Sequence, residues 1–315
     1  MIRLPDKAKQ FLIVVAKLSV VAAAFYFIWY RLKSDPALTS DLFSARLRHQ
    51  FNIANITLLL ALSFLNRFLE IVKWKNLVAS IRPISLGTAA SHVMGALTVS
   101  IFTPAGVGEY GAKALFFERT LTKKIVFLNL ISNGAQMFLS VFFGIFGLLY
   151  LNAKFGFITT KTVAAIFVTL CILAIISFFI RGFSIRGYSI QRLVKKLSEV
   201  PRAIHRKNFL LSSLRYLTFS HQYLLLFRIL DVNVDYIPLM AAIAAVYFLA
   251  SSVPTFQFLD FAVKGSVAVF FFAFFAVDDW IPVFIASLMW LLNVVIPVLI
   301  GSYFVLNFKP QWKQS

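Results

Sequence analysis

Two five-residue runs in this chain place an acid four residues before a lysine: Glu109-Tyr110-Gly111-Ala112-Lys113 and Asp260-Phe261-Ala262-Val263-Lys264. On a helix, positions i and i+4 face each other one turn apart, so each carboxylate meets its ammonium. Both runs lie inside long apolar stretches, and each follows a proline, Pro104 and Pro254. The first is further interrupted by Gly106, Gly108 and Gly111. Charges in hydrocarbon are expensive and mark substrate pathways, ion relays or mutually compensating pairs. An acid and a lysine one turn apart offset each other's cost through counter-charge and charge-assisted hydrogen bonds. Glycines let backbones approach closely and leave amide groups exposed. A half-helix that starts at such a break attracts an anion, such as a phosphate headgroup or a carboxylate. The chemistry expected is the binding and relay of charge, weighed against a purely structural pair that staples the broken segment to its neighbours.

Other polar residues in apolar stretches include Arg67, Glu70, His92, Gln136, Arg215, His221 and Gln222. Arg67 and Glu70 are three apart, which either pairs them or leaves the Arg67 fork for a lipid phosphate, a job its geometry suits. Arg215 is the second candidate contact for a phosphate. His92, alone on an apolar face, reads as a hydrogen-bonded core residue. No nucleophile–base set, phosphate loop or dinucleotide fingerprint is present, so no residue is assigned a catalytic role. No His, Cys, Asp and Glu cluster has metal-ligand spacing, and no cofactor is expected. The single cysteine, Cys171, reads as a small buried hydrophobe.

The elements that must position these residues are membrane helices. The chain of 315 residues is 60% hydrophobic and only 14% charged, with mean hydropathy +0.84. A soluble domain is about a quarter charged. The net charge of +19 reads as cytoplasmic-loop lysine and arginine facing anionic lipid, not as a nucleic-acid surface. Full spans are expected over 11–30, 53–72, 125–150, 162–180, 208–229 and 281–306. Trp29, Trp74, Trp280 and Trp312 read as belt anchors at the interfaces. The broken regions 84–118 and 238–277 read as helical hairpins that enter the membrane and leave on the same side. The fold class expected is an all-α polytopic bundle filling residues 1–315 as one transmembrane domain.

Loop charge orients it. The basic segment 181–207 carries eight lysines and arginines against one acid, Glu199, which places it in the cytoplasm. Both termini follow it inside, as do the segments holding Lys73, Lys75 and Arg82 and holding Arg119, Lys123 and Lys124. The hairpin at Glu109 then enters from the cytoplasm and that at Asp260 from outside. Residues 53–150 and 208–306 become two repeats of inverted topology. Broken segments at corresponding positions of such repeats point to a transporter's binding site.

The residues also resemble a family. The run from Arg67 through Lys73-Trp74-Lys75-Asn76-Leu77 and Ile84-Ser85 to Thr103-Pro104-Ala105-Gly106-Val107-Gly108-Glu109 is similar to the flippase-like transmembrane region of lysylphosphatidylglycerol synthases. That group includes stand-alone versions without the soluble aminoacyltransferase domain. The resemblance extends over roughly residues 10–306. The chain departs from the pattern in the second motif, where the usual glycines are replaced in Pro254-Thr255-Phe256-Gln257-Phe258-Leu259-Asp260. The resemblance implies translocation of a lipid or lipid-linked intermediate across a bacterial inner membrane. Lysyl transfer would need the extra soluble domain, for which the chain has no room.

The expectation is therefore a lipid-handling protein that is not itself an enzyme. Glu109, Lys113, Asp260, Lys264, Arg67 and Arg215 line its polar pathway, with anionic or phosphate-bearing membrane lipids as partners. Two alternatives stay open: a secondary transporter of a small polar solute, and a non-transporting subunit that supports a separate glycosyl- or aminoacyltransferase.

Overall fold

The computed structural model describes residues 50–101, 103–104, 106–159, 161, 162, 165, 169, 172, 190–253 and 255–308. The expected span 11–30, most of 162–180, the first part of the basic 181–207 segment, Pro254 and both chain ends lie outside the described residues. Two compact units are separated at Leu58/Leu59. Residues 50–58 are the described part of the first, and the site residues below all belong to the second.

The described residues are helical and contain no strand. In chain order the helices are α1 (Ile53–Val78), α2 (Leu86–Ser100), α3 (Gly108–Ala114), α4 (Thr122–Phe155), α5 (Ile190–Glu199), α6 (Arg202–Ile229), α7 (Tyr236–Ser252), α8 (Asp260–Ala273), α9 (Trp280–Trp290) and α10 (Ile296–Leu306). A π-helical turn, Leu291–Val295, joins α9 to α10. Three of these helical stretches are long and apolar enough to cross a membrane: Ile53–Val78, Arg119–Phe155 and Trp280–Leu306. Their lengths exceed the ~20 residues needed for ~30 Å of hydrocarbon. The expected span 208–229 lies inside α6, a 28-residue helix. Arg215, His221, Gln222 and several hydroxyl side chains keep α6 less apolar than the other three.

Local chemistry sets the ends. Ser85 caps α2, its hydroxyl accepting from Thr88 N at 3.1 Å, which satisfies one of the helix's orphan amides. Gly156 ends α4 at φ 63°, a left-handed cap that glycine adopts without strain. Glu109 sits in the first turn of α3 and Lys113 in its last, the arrangement the helix dipole favours. Helix α5 puts Leu193, Val194 and Leu197 on one face and Arg192, Lys195 and Lys196 on the other, the pattern of a helix lying in a membrane interface.

Packing follows small residues, as expected where helices associate without a solvent-driven hydrophobic force. Helix α4 packs along α7 and α10 along α2. A Cβ at Gly144 would overlap the Phe248 side chain, and one at Gly147 would stand 2.5 Å from the Ala241 carbonyl oxygen. At Gly301 a Cβ would overlap Met94 O and Thr98 Oγ1. These glycines let one backbone lie directly on another. A buried apolar core forms where α1 to α4 meet, around Trp74, Leu77, Val93, Phe117, Ile125 and Leu128.

Both broken regions form helix–break–helix units, α2–α3 and α7–α8. The breaks meet each other: Pro104 pairs with Phe256 in an isolated antiparallel bridge, and the Ser100 hydroxyl lies 3.0 Å from Gln257 Oε1. The glycines of the first break are not equivalent. Gly106 takes φ 66°, where any side chain would be strained. Gly108 N donates to Thr103 Oγ1 at 2.9 Å, and a Cβ there would come within 2.7 Å of Thr103. Gly111 faces open space, so the expectation that it serves a close backbone approach does not hold.

Candidate functional site

A cavity of about 290 Å³ opens between the two broken units and the facing sides of α1, α6 and α9. Of the six residues expected on a polar pathway, five line it: Arg67, Glu109, Arg215, Asp260 and Lys264. The sixth, Lys113, stands behind Glu109. The cavity wall therefore draws on residues from Asn66 to Val294, more than 200 positions apart in the chain.

The two acid–lysine pairs form as their spacing predicts but in different surroundings. Lys113 Nζ lies 2.5 Å from Glu109 Oε1. It also donates to Asn129 Oδ1 at 2.7 Å and sits 4.3 Å from the centre of the Trp74 ring. Its side chain is fully buried, whereas Glu109 is 22% exposed toward the cavity. Burial of an ammonium is tolerable here because a carboxylate, an amide oxygen and an aromatic face all meet it. Lys264 Nζ lies 2.6 Å from Asp260 Oδ2, and both side chains remain about a quarter exposed.

The side of the cavity formed by α1, α6 and the π-helical turn is a connected polar bracket. Glu70 Oε2 meets both Lys73 Nζ and Arg215 Nη1 at 2.7 Å. Arg215 Nε donates to Asn66 Oδ1 at 2.9 Å. Asn66 Nδ2 in turn donates to Asn293 Oδ1 at 2.7 Å. Asn293 Nδ2 donates to Gln222 Oε1 at 3.0 Å. Arg67 Nη2 donates to the Asn293 backbone carbonyl at 2.7 Å. In an α-helix that carbonyl would be met by the amide of residue 297, but Pro297 has no N–H to give it.

Arg67 does not pair with Glu70. Glu70 is already taken by Lys73 and Arg215, and among the described residues Arg67 has no carboxylate within ion-pair distance. Its Nε is buried without a hydrogen-bond partner, as are both side-chain polar atoms of Gln136 on the same cavity wall.

Two expectations are corrected. Lys73, read as a cytoplasmic-loop charge, lies inside α1 with its side chain fully buried against Glu70. Trp74, read as an interfacial anchor, is fully buried in the core. It donates from Nε1 to His92 Nδ1 at 3.3 Å, so His92 is the hydrogen-bonded core residue expected. Sequence reasoning missed Asn66, Asn293 and Gln257. The usable signal was Pro297 four residues after Asn293, a proline in an apolar helix that brings no amide to the preceding turn.

The site as a whole is cationic. Arg67, Lys73, Lys113, Arg215 and Lys264 face three carboxylates, those of Glu70, Glu109 and Asp260. Among the described residues no group of three or more His, Cys, Asp or Glu side chains is arranged to hold a metal ion. The arrangement can attract, hold and screen an anion. Comparison with known protein families, with characterised proteins and with solved structures finds no match for this chain.

Proposed function

We propose that this chain moves a lipid or lipid-linked intermediate bearing an anionic headgroup between membrane leaflets, and that the cavity is where the headgroup passes. The observation that carries the reading is Arg67. Its guanidinium lines the cavity of a membrane-type helical protein, and among the described residues no carboxylate lies within ion-pair distance of it. An unpaired cation at such a place is costly unless a ligand supplies the counter-charge. Large apolar side chains exposed on α1 and α4, such as Phe64, Met137 and Phe146, offer a lipid-facing surface for the tails.

In this reading the two halves, 53–150 and 208–306, are repeats of inverted topology. Three features support it. Each half runs helix, broken unit, helix. The long helix after each break packs on the first arm of the other unit, α4 on α7 and α10 on α2. The breaks themselves touch at Pro104 and Phe256. A pseudo-two-fold relation would place the binding site between the breaks, as in transporters built from inverted repeats. The resemblance to the flippase-like region of lysylphosphatidylglycerol synthases agrees with this function and with a multi-pass protein of a bacterial inner membrane, its termini cytoplasmic. No nucleotide loop is present in the sequence, so transport would run on an ion gradient or downhill. Glu109, next to the cavity and backed by Lys113, is the group best placed to exchange a proton.

The test is a liposome assay that follows fluorescent phospholipid between leaflets. Wild type accelerates exchange over empty liposomes. Arg67→Gln lowers the rate by about tenfold or more, as expected for loss of a charge-assisted contact worth ~1.5–3 kcal/mol. An equal rate for Arg67→Gln would remove the cavity from the pathway. Uptake of a water-soluble compound without lipid exchange would instead favour a small-solute transporter.

A further inference from the structure

We propose that the cavity selects a phosphate dianion, the head of a lipid phosphomonoester, over the monoanionic phosphodiester of ordinary phospholipids; this rests on reading the cavity as a lipid-headgroup site. Three features of the site lead to it.

The first is charge. Asp260 is matched by Lys264 and Glu109 by Lys113, while Glu70 serves both Lys73 and Arg215. Among the described residues Arg67 has no carboxylate within ion-pair distance. Two positive charges are left over, and both excess charges fall on the α1–α6 side of the cavity. Excess buried charge must be met by a ligand or else disfavours the fold. A phosphodiester brings one negative charge. A phosphomonoester brings −1.5 to −2 near neutral pH, because its second pKa is about 6.

The second is the set of unsatisfied donors. Of the buried side-chain polar atoms without a partner among the described residues, those on the cavity wall belong to Arg67 and Gln136. Such orphans are rare in folded proteins and point to something that completes them. Arg67 Nε and Gln136 Nε2 both donate, and a terminal phosphate offers three strong acceptor oxygens where a diester offers two.

The third is rigidity and size. The two guanidinium groups are spaced by an unbroken chain of bonds, Arg215 to Asn66 to Asn293 to Arg67. A pre-set pair of forks suits a compact multivalent anion. The cavity of about 290 Å³ is at the small end of the ~300–1,000 Å³ found for small-molecule sites. It takes a phosphate and a small substituent, with little space for a bulky sugar.

The experiment measures lipid binding to the full chain in mild detergent by native mass spectrometry and thermal unfolding. The probes are dioleoyl phosphatidic acid, dioleoyl phosphatidylglycerol, dioleoyl phosphatidylcholine and sn-glycerol 3-phosphate. The expected result near pH 7.5 is phosphatidic acid binding about tenfold tighter than phosphatidylglycerol, with the preference largely lost near pH 5 as the monoester takes up its second proton. Equal binding of the two anionic lipids, or a preference that survives near pH 5, overturns the proposal. Glycerol 3-phosphate binding more tightly than phosphatidic acid overturns the lipid source of the phosphate. Gln136→Leu separates ligand from fold: removing an unsatisfied amide leaves the unfolding temperature unchanged or raised. The same variant binds phosphatidic acid about tenfold more weakly, and wild-type affinity in it overturns the proposal. Because the readout is binding, a protein that prefers phosphatidic acid yet does not exchange lipid in liposomes sinks the transport reading and leaves this one standing. Lipid exchange with no headgroup preference does the reverse.

Discussion

The two broken units carry the same motif and use it differently. In α3 the lysine is the buried partner: Lys113 touches Glu109, Asn129 and the Trp74 ring, with no exposed surface. In α8 acid and lysine are equally wet, and Lys264 has only a distant aromatic neighbour, Tyr247 at 5.0 Å. Identical i,i+4 spacing thus yields a locked pair in one unit and a loose pair in the other. What separates them is the third body. Trp74 and Asn129 close over Lys113, while Lys264 is left on the cavity wall. The first pair fixes a carboxylate in place; the second is free to rearrange around whatever enters.

The largest test of that contrast is Lys113→Met. It strips the counter-charge from Glu109 and the donor from Asn129 Oδ1, and should cost ~3–5 kcal/mol, the range for breaking a buried pair. Unfolding in a denaturing-detergent titration measures it, and a loss below about 1 kcal/mol would mean that the two pairs are alike after all. Gly147→Leu comes next. It forces a side chain into the Ala241 backbone and should destabilise the α4–α7 contact by ~1–3 kcal/mol, read by the same titration. Gly106→Ala places a Cβ at positive φ and should cost ~1 kcal/mol, a penalty specific to the first break. Smallest is Lys264→Met. Its pair is partly solvated, so stability should fall by no more than ~0.5–1 kcal/mol, while lipid exchange in liposomes slows severalfold. Lys264→Met that destabilises as much as Lys113→Met would erase the distinction.

Much of the site was legible in the sequence because its members are conspicuous. A charge in an apolar run, or a proline and glycines in a hydrophobic stretch, has few innocent explanations. Glu109, Lys113, Asp260, Lys264, Arg67 and Arg215 were found that way. Lys73 and Trp74 were misplaced for the complementary reason. Hydropathy marks a helix as ending where charges begin, yet α1 continues to Val78 because Lys73 finds Glu70 within the same helix. A paired charge does not terminate a helix, and hydropathy sees charges singly. Asn66, Asn293 and Gln257 were harder still. Their role lies in bonds between residues more than 70 positions apart, and nothing in a local window distinguishes a bridging amide from an idle one. The long apolar spans 53–72, 125–150 and 281–306 fell within helices able to cross a membrane, and the span expected at 208–229 fell within α6, a 28-residue helix less apolar than those three.

Pro297 has a consequence for how this site tolerates change. The atom that holds Arg67 is a main-chain oxygen, and Pro297, four residues downstream, brings no amide to it. Asn293→Ala would cut the links to Asn66 and Gln222 yet leave Arg67 its acceptor. Pro297→Ala would leave every side chain of the cavity in place and return an amide that competes for the same oxygen. A mutational scan of this chain should therefore find its arginine anchor recorded at a residue that touches no ligand and carries no polar group.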